Sequence, residues 1–98
     1  MTLRGTHKKY LRGLAHHLEP VVQMGKEGLS EGVVRAADVA LTDHELIKVR
    51  LPQVDRTERK ALAASLEERT GSDLAGLTGR VAILYRKHPD EPKIRLPR

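Results

Sequence analysis

The chain contains no cysteine, tryptophan or phenylalanine, and only two tyrosines. Without cysteine there is no disulfide, no thiolate metal site and no cysteine nucleophile. Two aromatic rings cannot build a platform that stacks several bases. No apolar run approaches the ~18 residues that a membrane span needs. The N-terminal residues lack the apolar segment of a secretory signal, so a cytoplasmic protein with no membrane partner is the expectation. What is present is ordinary for a folded protein: 39% hydrophobic and 32% charged residues in a chain of 98. That length supports one modest core, so residues 1–98 are expected to form one domain.

Charge is unevenly placed. Eighteen Lys and Arg face thirteen Asp and Glu, a formal +5. Residues 1–17 carry Arg4, Lys8, Lys9 and Arg12 with no acid, and residues 80–98 carry six basic residues against Asp90 and Glu91. Each end is therefore +4, while residues 18–79 have eight basic and eleven acidic residues and sum to −3. Brought together by folding, the ends would form a basic surface suited to a polyanion. Solvated charged faces on a small basic protein would give the same count.

Leu3, His7, Tyr10, Leu11, Leu14 and Leu18 recur at helical spacing, which predicts an amphipathic helix over about 3–18. Arg4, Lys8 and Arg12 form a second stripe at i, i+4 and i+8, which His16 continues. Like charges so spaced disfavour an isolated helix and point to an anionic partner. Pro20 ends the helix. Val21–Met24 reads as a short strand closed by Gly25. Ser30 is a good N-cap for a second helix reaching about Thr42–Asp43, with Leu29 and Val34 placed as a hydrophobic staple.

His44–Leu51 alternates, with Ile47, Val49 and Leu51 on one face and Lys48 and Arg50 on the other, as in a half-buried strand. Asp55 and Glu58 frame the start of a third helix, and Gly71 supplies its stop. Asp73–Leu77 is a weak strand, Thr78-Gly79 a turn, and Arg80–Arg86 a strong strand whose Val81–Tyr85 are apolar on both faces, so it belongs inside the sheet. Residues 89–98, with three prolines, read as an extended basic tail. The result is an α/β fold of order α-β-α-β-α-β-β around a four-stranded mixed sheet. Strands joined through helices are expected to pair parallel, and the last two antiparallel. The periodicity leaves open which helix covers which face.

Gly25-Lys26-Glu27-Gly28 lies between a strand and a helix N-terminus. Glycines let a backbone turn sharply and approach a ligand closely. The helix N-terminus offers unpaired N–H groups and partial positive charge, and Lys26 adds a full charge. Such a loop suits a phosphate of a nucleic-acid backbone. Glu27 would repel the same phosphate, which leaves its role open. The spacing alone is not specific, since Gly76-Leu77-Thr78-Gly79 repeats it in a turn. A simple strand-to-helix turn would also explain the first copy.

Other chemistry finds little support. His16 and His17 are adjacent, so a helix points them apart, and no HxxxH or HExxH pair exists. Glu67-Glu68 and Asp90-Glu91 lack a partner or pocket that would tune them for acid–base work. No Walker, Rossmann or nucleophile signature is present. Neither an enzyme activity nor a metal, cofactor or small-molecule substrate is expected.

The run Leu11-Arg12-Gly13-Leu14-Ala15-His16-His17-Leu18-Glu19-Pro20-Val21-Val22-Gln23-Met24-Gly25-Lys26-Glu27-Gly28-Leu29-Ser30 resembles the signature of the CRM (chloroplast RNA splicing and ribosome maturation) domain. His44–Val49, Val81–Arg86 and Ile94–Arg98 are also similar to that family. As a lone domain with a short tail, the chain resembles the bacterial stand-alone, YhbY-like members. The resemblance implies a fold related to the C-terminal domain of translation initiation factor three. It also implies binding of ribosomal RNA in precursors of the large subunit. By position it implicates Gly25, Lys26, Glu27 and Gly28, with Lys8, Lys9 and Arg12 on the flanking helix. Arg4 and His16 extend that stripe, and Arg86 and Lys87 complete the candidate set. Duplex DNA, or an acidic protein docked by an interaction module, are the alternatives that charge alone leaves open.

Overall fold

A computed structural model describes residues 3–98, so the first two residues of the expected 1–98 domain lie outside the described residues. Three helices and four strands alternate as α1 (Gly5–Ala15), β1 (Val22–Gln23), α2 (Glu31–His44), β2 (Leu46–Arg50), α3 (Arg56–Thr70), β3 (Asp73–Thr78) and β4 (Val81–Tyr85). The order matches the sequence reading. The sheet runs β1-β2-β4-β3.

β1 pairs parallel with β2, as a helical crossover requires. The expectation that β2 and β3, joined through α3, also pair parallel is corrected. β4 lies between them, antiparallel to both. Its sequence explains why. Ala82 and Leu84 face one layer and Ile83 and Tyr85 the other, all buried, so β4 takes an interior position. The tight turn at Gly79, with φ +57°, returns it beside β3. β3, carrying Asp73 and Gly76, keeps the edge.

Both faces of the sheet are covered. α2 and α3 place Ala37, Leu41, Ala63 and Leu66 against Val22, Ile47, Val49, Ala82 and Leu84. α1 places Leu11 and Ala15 on the opposite face, against Leu46, Ala75, Ile83 and Tyr85. Fully burying each such Leu or Ile is worth roughly 1.5–3 kcal/mol.

Helix ends follow local chemistry. Ser30 Oγ accepts from Val33 N at 3.2 Å, and Asp55 Oδ1 accepts from Glu58 N at 2.8 Å. Gly71 closes α3 in the left-handed region at φ +64°. α1 is shorter than its apolar pattern predicts. Bonds from His16 N to Gly13 O and from Leu18 N to Ala15 O tighten the chain after Ala15. The buried line of α1 is His7, Leu11 and Ala15, while Tyr10 and Leu14 lie exposed on its flank and Leu18 just beyond its end. The rotation brings that flank beside the C-terminal segment, whose Ile94 and Leu96 pack on the α1 cluster.

That segment has no helix or strand, yet it is fixed. The buried Glu45 carboxylate accepts from His88 N, Lys93 N and Ile94 N at 2.8–2.9 Å. Glu45 also adopts φ +64°, an uncommon conformation for a non-glycine residue. Burial opposes its charge, but the three N–H groups and nearby His88 outweigh burial and lower its pKa from 4.5. Further along, His7 accepts from Arg4 N on Nδ1, which fits a proton on Nε2 donated to Pro97 O at 2.8 Å.

Candidate nucleic-acid interface

The Gly25–Gly28 loop leaves the end of β1. Gly28 N donates to Gly25 O at 2.9 Å, closing a tight turn with Lys26 and Glu27 at its exposed tip. Gly28 has φ +78°, where a side chain is strained. Glu27 bends back so that its Oε2 stands 3.7 Å from the position a Cβ on Gly25 would take. Lys26 shares a cleft with Gln23, Pro52, Gln53 and Arg80.

Strand register continues this end across the sheet. Gln23 pairs with Arg50, Arg50 with Val81, and Val81 with Thr78. Paired residues share a face, so these four form one row on the α1 side, beyond the part that the helix covers. Lys48 and Ile83 stand in the next row, where β3 contributes Gly76.

Arg12 completes the surface from α1. Its aliphatic chain lies on Gly76, where an added Cβ would come within 2.7 Å of Cδ. Only glycine allows that approach, and Arg12 Nη1 then donates to Ala75 O at 2.9 Å. Arg80 is tethered alike, Nε to Leu51 O at 3.2 Å. A guanidinium carries five donors, so each keeps most of its donors for a ligand. His16 borders the same surface beside Lys48 and Thr78. Among the described residues, ion pairs join only Arg69 to Glu31 and Arg86 to Asp38. Lys26, Lys48, Arg50, Arg12 and Arg80 therefore have no carboxylate partner among them.

The other sequence candidates are spread more widely. Arg4 begins α1 and, with Lys8, continues the Arg12 stripe toward the helix N-terminus. Lys9 lines a shallow surface with Tyr10, Leu14 and Pro97, beside the C-terminal segment. Arg86 and Lys87 follow β4 at the end opposite the loop, five residues or roughly 16 Å away at the usual strand rise. Arg86 is engaged in the fold, donating to Asp38 Oδ1, Thr70 O, Asp38 O and Thr42 Oγ1 at 2.6–3.0 Å. Thr70 ends α3, so the cation also meets the negative end of that helix.

Lys48, Arg50, Arg80 and Gln23 were not among the candidates read from the sequence. The alternation of β2 marked Lys48 and Arg50 as its outward side. What it lacked was the register that sets them beside the loop.

A parallel β1-β2 pair opens into a Gly-x-x-Gly turn flanked by cations on an uncovered half-sheet, an α/β arrangement whose charge is complementary to a polyanion. The chain belongs to the CRS1/YhbY (CRM) domain family, whose model matches residues 3–86. It is 42% identical over 93 residues to a Pseudomonas aeruginosa protein named as a probable RNA-binding protein, covering 95% of this chain and 89% of that one. A Haemophilus influenzae protein named as RNA-binding is 41% identical over 97 residues, covering 99% and 97%. The solution structure of a Staphylococcus aureus protein matches with a TM-score of 0.88 at 38% identity, over 98% of this chain and all of that one.

Proposed function

We propose that this protein is a non-enzymatic RNA-binding protein that acts on ribosomal RNA in precursors of the large ribosomal subunit, in the cytoplasm. The carrying observation is a run of cations, with Lys26 and Arg80 at the loop cleft, Arg50 and Lys48 on the adjoining sheet rows and Arg12 beyond them, without carboxylate partners among the described residues. Membership of the family and the names of the relatives support RNA as the polyanion. Resemblance to stand-alone members connected with large-subunit precursors favours ribosomal RNA.

In this reading one phosphate docks at the loop, where Gly25 and Gly28 admit the backbone and Lys26 neutralises it. The cations of the sheet row and Arg12 take the neighbouring phosphates. Specificity comes from RNA shape and unpaired segments, since no aromatic platform is available.

The test is the salt dependence of affinity for a large-subunit RNA fragment, with DNA of equal length as competitor. Lys26→Ala is expected to weaken binding to all RNAs alike and flatten the salt slope by roughly one unit. Unchanged affinity and slope for folded Lys26→Ala and Arg12→Ala would place the site elsewhere. Stronger DNA binding would favour the DNA reading. Sedimentation away from ribosomal particles, unaltered by ribonuclease, would favour a protein partner.

A further inference from the structure

Beside the loop, the uncovered half-sheet holds a cavity of about 250 Å³ bounded by Arg12, His16, Lys48, Thr78, Val81 and Ile83. Its chemistry is two-sided. Val81 and Ile83 lie on adjacent rows of the α1 side of β4; half-buried Val81 supplies the apolar floor and buried Ile83 its inner edge. Lys48 and Arg12 supply cations at the rim, Thr78 a hydroxyl, and His16 an exposed planar ring.

A phosphate alone has no use for an apolar floor, and an apolar ligand would waste two cations. A nucleotide matches both. The cavity is smaller than the ~300–1,000 Å³ of sites for drug-sized ligands, which suits a single base. A base paired within a duplex has both faces covered by its neighbours, so the fitting ligand is unpaired.

We infer that this cavity binds one unpaired nucleotide of the RNA that docks at the Gly25–Gly28 loop. The base lies on Val81 and Ile83 against the His16 ring, with an edge within reach of the Thr78 hydroxyl, and its phosphate sits between Lys48 and Arg12. Gly76 is a positioning residue, since its missing Cβ is what allows Arg12 to lie across β3. The second Gly-x-x-Gly run, Gly76–Gly79, thereby acquires a role at the binding surface beyond its turn. The inference rests on the reading of this protein as RNA-binding and adds a preference for single-stranded over duplex RNA.

The experiment compares affinities for a single-stranded oligoribonucleotide and a blunt RNA duplex of equal length. The proteins are wild type, Val81→Asn, His16→Ala, Gly76→Ala and Lys26→Ala. Val81→Asn, which makes the floor polar without adding charge, is expected to lower single-strand affinity about tenfold while leaving duplex affinity within about twofold. His16→Ala, at an exposed position with little bearing on folding, is expected to lower it about three- to tenfold, again selectively. Gly76→Ala, which displaces Arg12, should weaken both RNAs and the single strand more, and Gly76→Ala/Arg12→Ala should bind no more weakly than Arg12→Ala alone. Lys26→Ala should weaken both RNAs alike.

A second readout uses the wild-type protein and single-stranded RNA carrying 4-thiouridine, with crosslinks expected at His16 or within residues 78–83. If Lys26→Ala weakens RNA binding but the cavity variants match wild type, or lose both RNAs equally, the nucleotide pocket is overturned and the RNA-binding reading stands. If wild type binds neither RNA, both fall.

Discussion

The two ends of the sheet carry similar charge and use it in opposite ways. At the far end, Arg86 is consumed by the fold, gripping Asp38 and Thr42 of α2 and the last carbonyl of α3. There too, Glu45 gathers three N–H groups of the C-terminal segment. At the loop end, Lys26, Lys48 and Arg50 have no carboxylate partner among the described residues, and Arg12 and Arg80 are each held by a carbonyl. Arg86 gives four hydrogen bonds to internal acceptors, whereas the loop-end cations give at most one each and keep the rest of their donors free for a ligand. Counting basic residues cannot make that distinction; hydrogen bonds can.

The contrast breaks first, and most strongly, at Glu45. Glu45→Ala strands three backbone donors and releases the C-terminal segment, an expected loss of about 3 kcal/mol in denaturant unfolding. RNA affinity of the folded protein should stay within about twofold. Because the folded pKa of Glu45 lies below 4.5, its charged form stabilises the fold above that value. The contribution is lost as pH falls from 4.5 through the lower folded pKa. Glu45→Gln should therefore narrow its stability gap to wild type as the pH falls through that window, followed by urea midpoints across the acid range. A gap constant with pH would show that the carboxylate charge is not what holds the segment.

The converse change is at the loop end. Lys26→Ala/Lys48→Ala/Arg50→Ala should lower RNA affinity about a hundredfold and flatten its salt slope by roughly two to three units. Unfolding free energy should move by no more than about 0.5 kcal/mol for each substitution, since these are solvent-facing side chains. Arg86→Ala should do the reverse, costing about 1–3 kcal/mol of stability through its lost hydrogen bonds with little effect on RNA affinity. Equal RNA losses for the triple variant and Arg86→Ala would erase the difference between the ends.

The smallest effect concerns Glu27. Its carboxylate leans over Gly25, where a phosphate would approach, so Glu27→Gln should raise RNA affinity about two- to fivefold at low salt. The gain should fade as salt screens the charge. Weaker binding would instead make Glu27 a hydrogen-bonding partner of the RNA.

Much of this could be read from residues alone, because the local rules were obeyed. Ser30 and Asp55 cap their helices, Gly71 closes one, and Ile47, Val49 and Leu51 alternate inward as expected. The twofold apolar character of β4 correctly placed it inside the sheet. What local rules do not carry is long-range. Nothing local to Arg86 reveals Asp38, 48 residues away, and nothing local to Arg12 reveals that Gly76 makes room for it. The charge at each end of the chain also meant different things. α1 and the C-terminal segment do pack on one face, but from the two basic ends it is Arg12 and His16 that border the half-sheet and Arg80 that lines the loop cleft. The segment after Tyr85 reads as a tail by its prolines, yet Glu45 binds it, and a lone glutamate at a helix–strand junction carries no sequence signal of that task.

The central claim is that RNA enters at the loop end of the sheet. Backbone amide shifts during titration with a large-subunit RNA fragment test it most directly. Large changes are expected at Lys26–Gly28, Lys48–Arg50 and Thr78–Val81, with Arg86–Ile94 unmoved. Changes concentrated at Arg86–Ile94, with the Gly25–Gly28 loop silent, would contradict it.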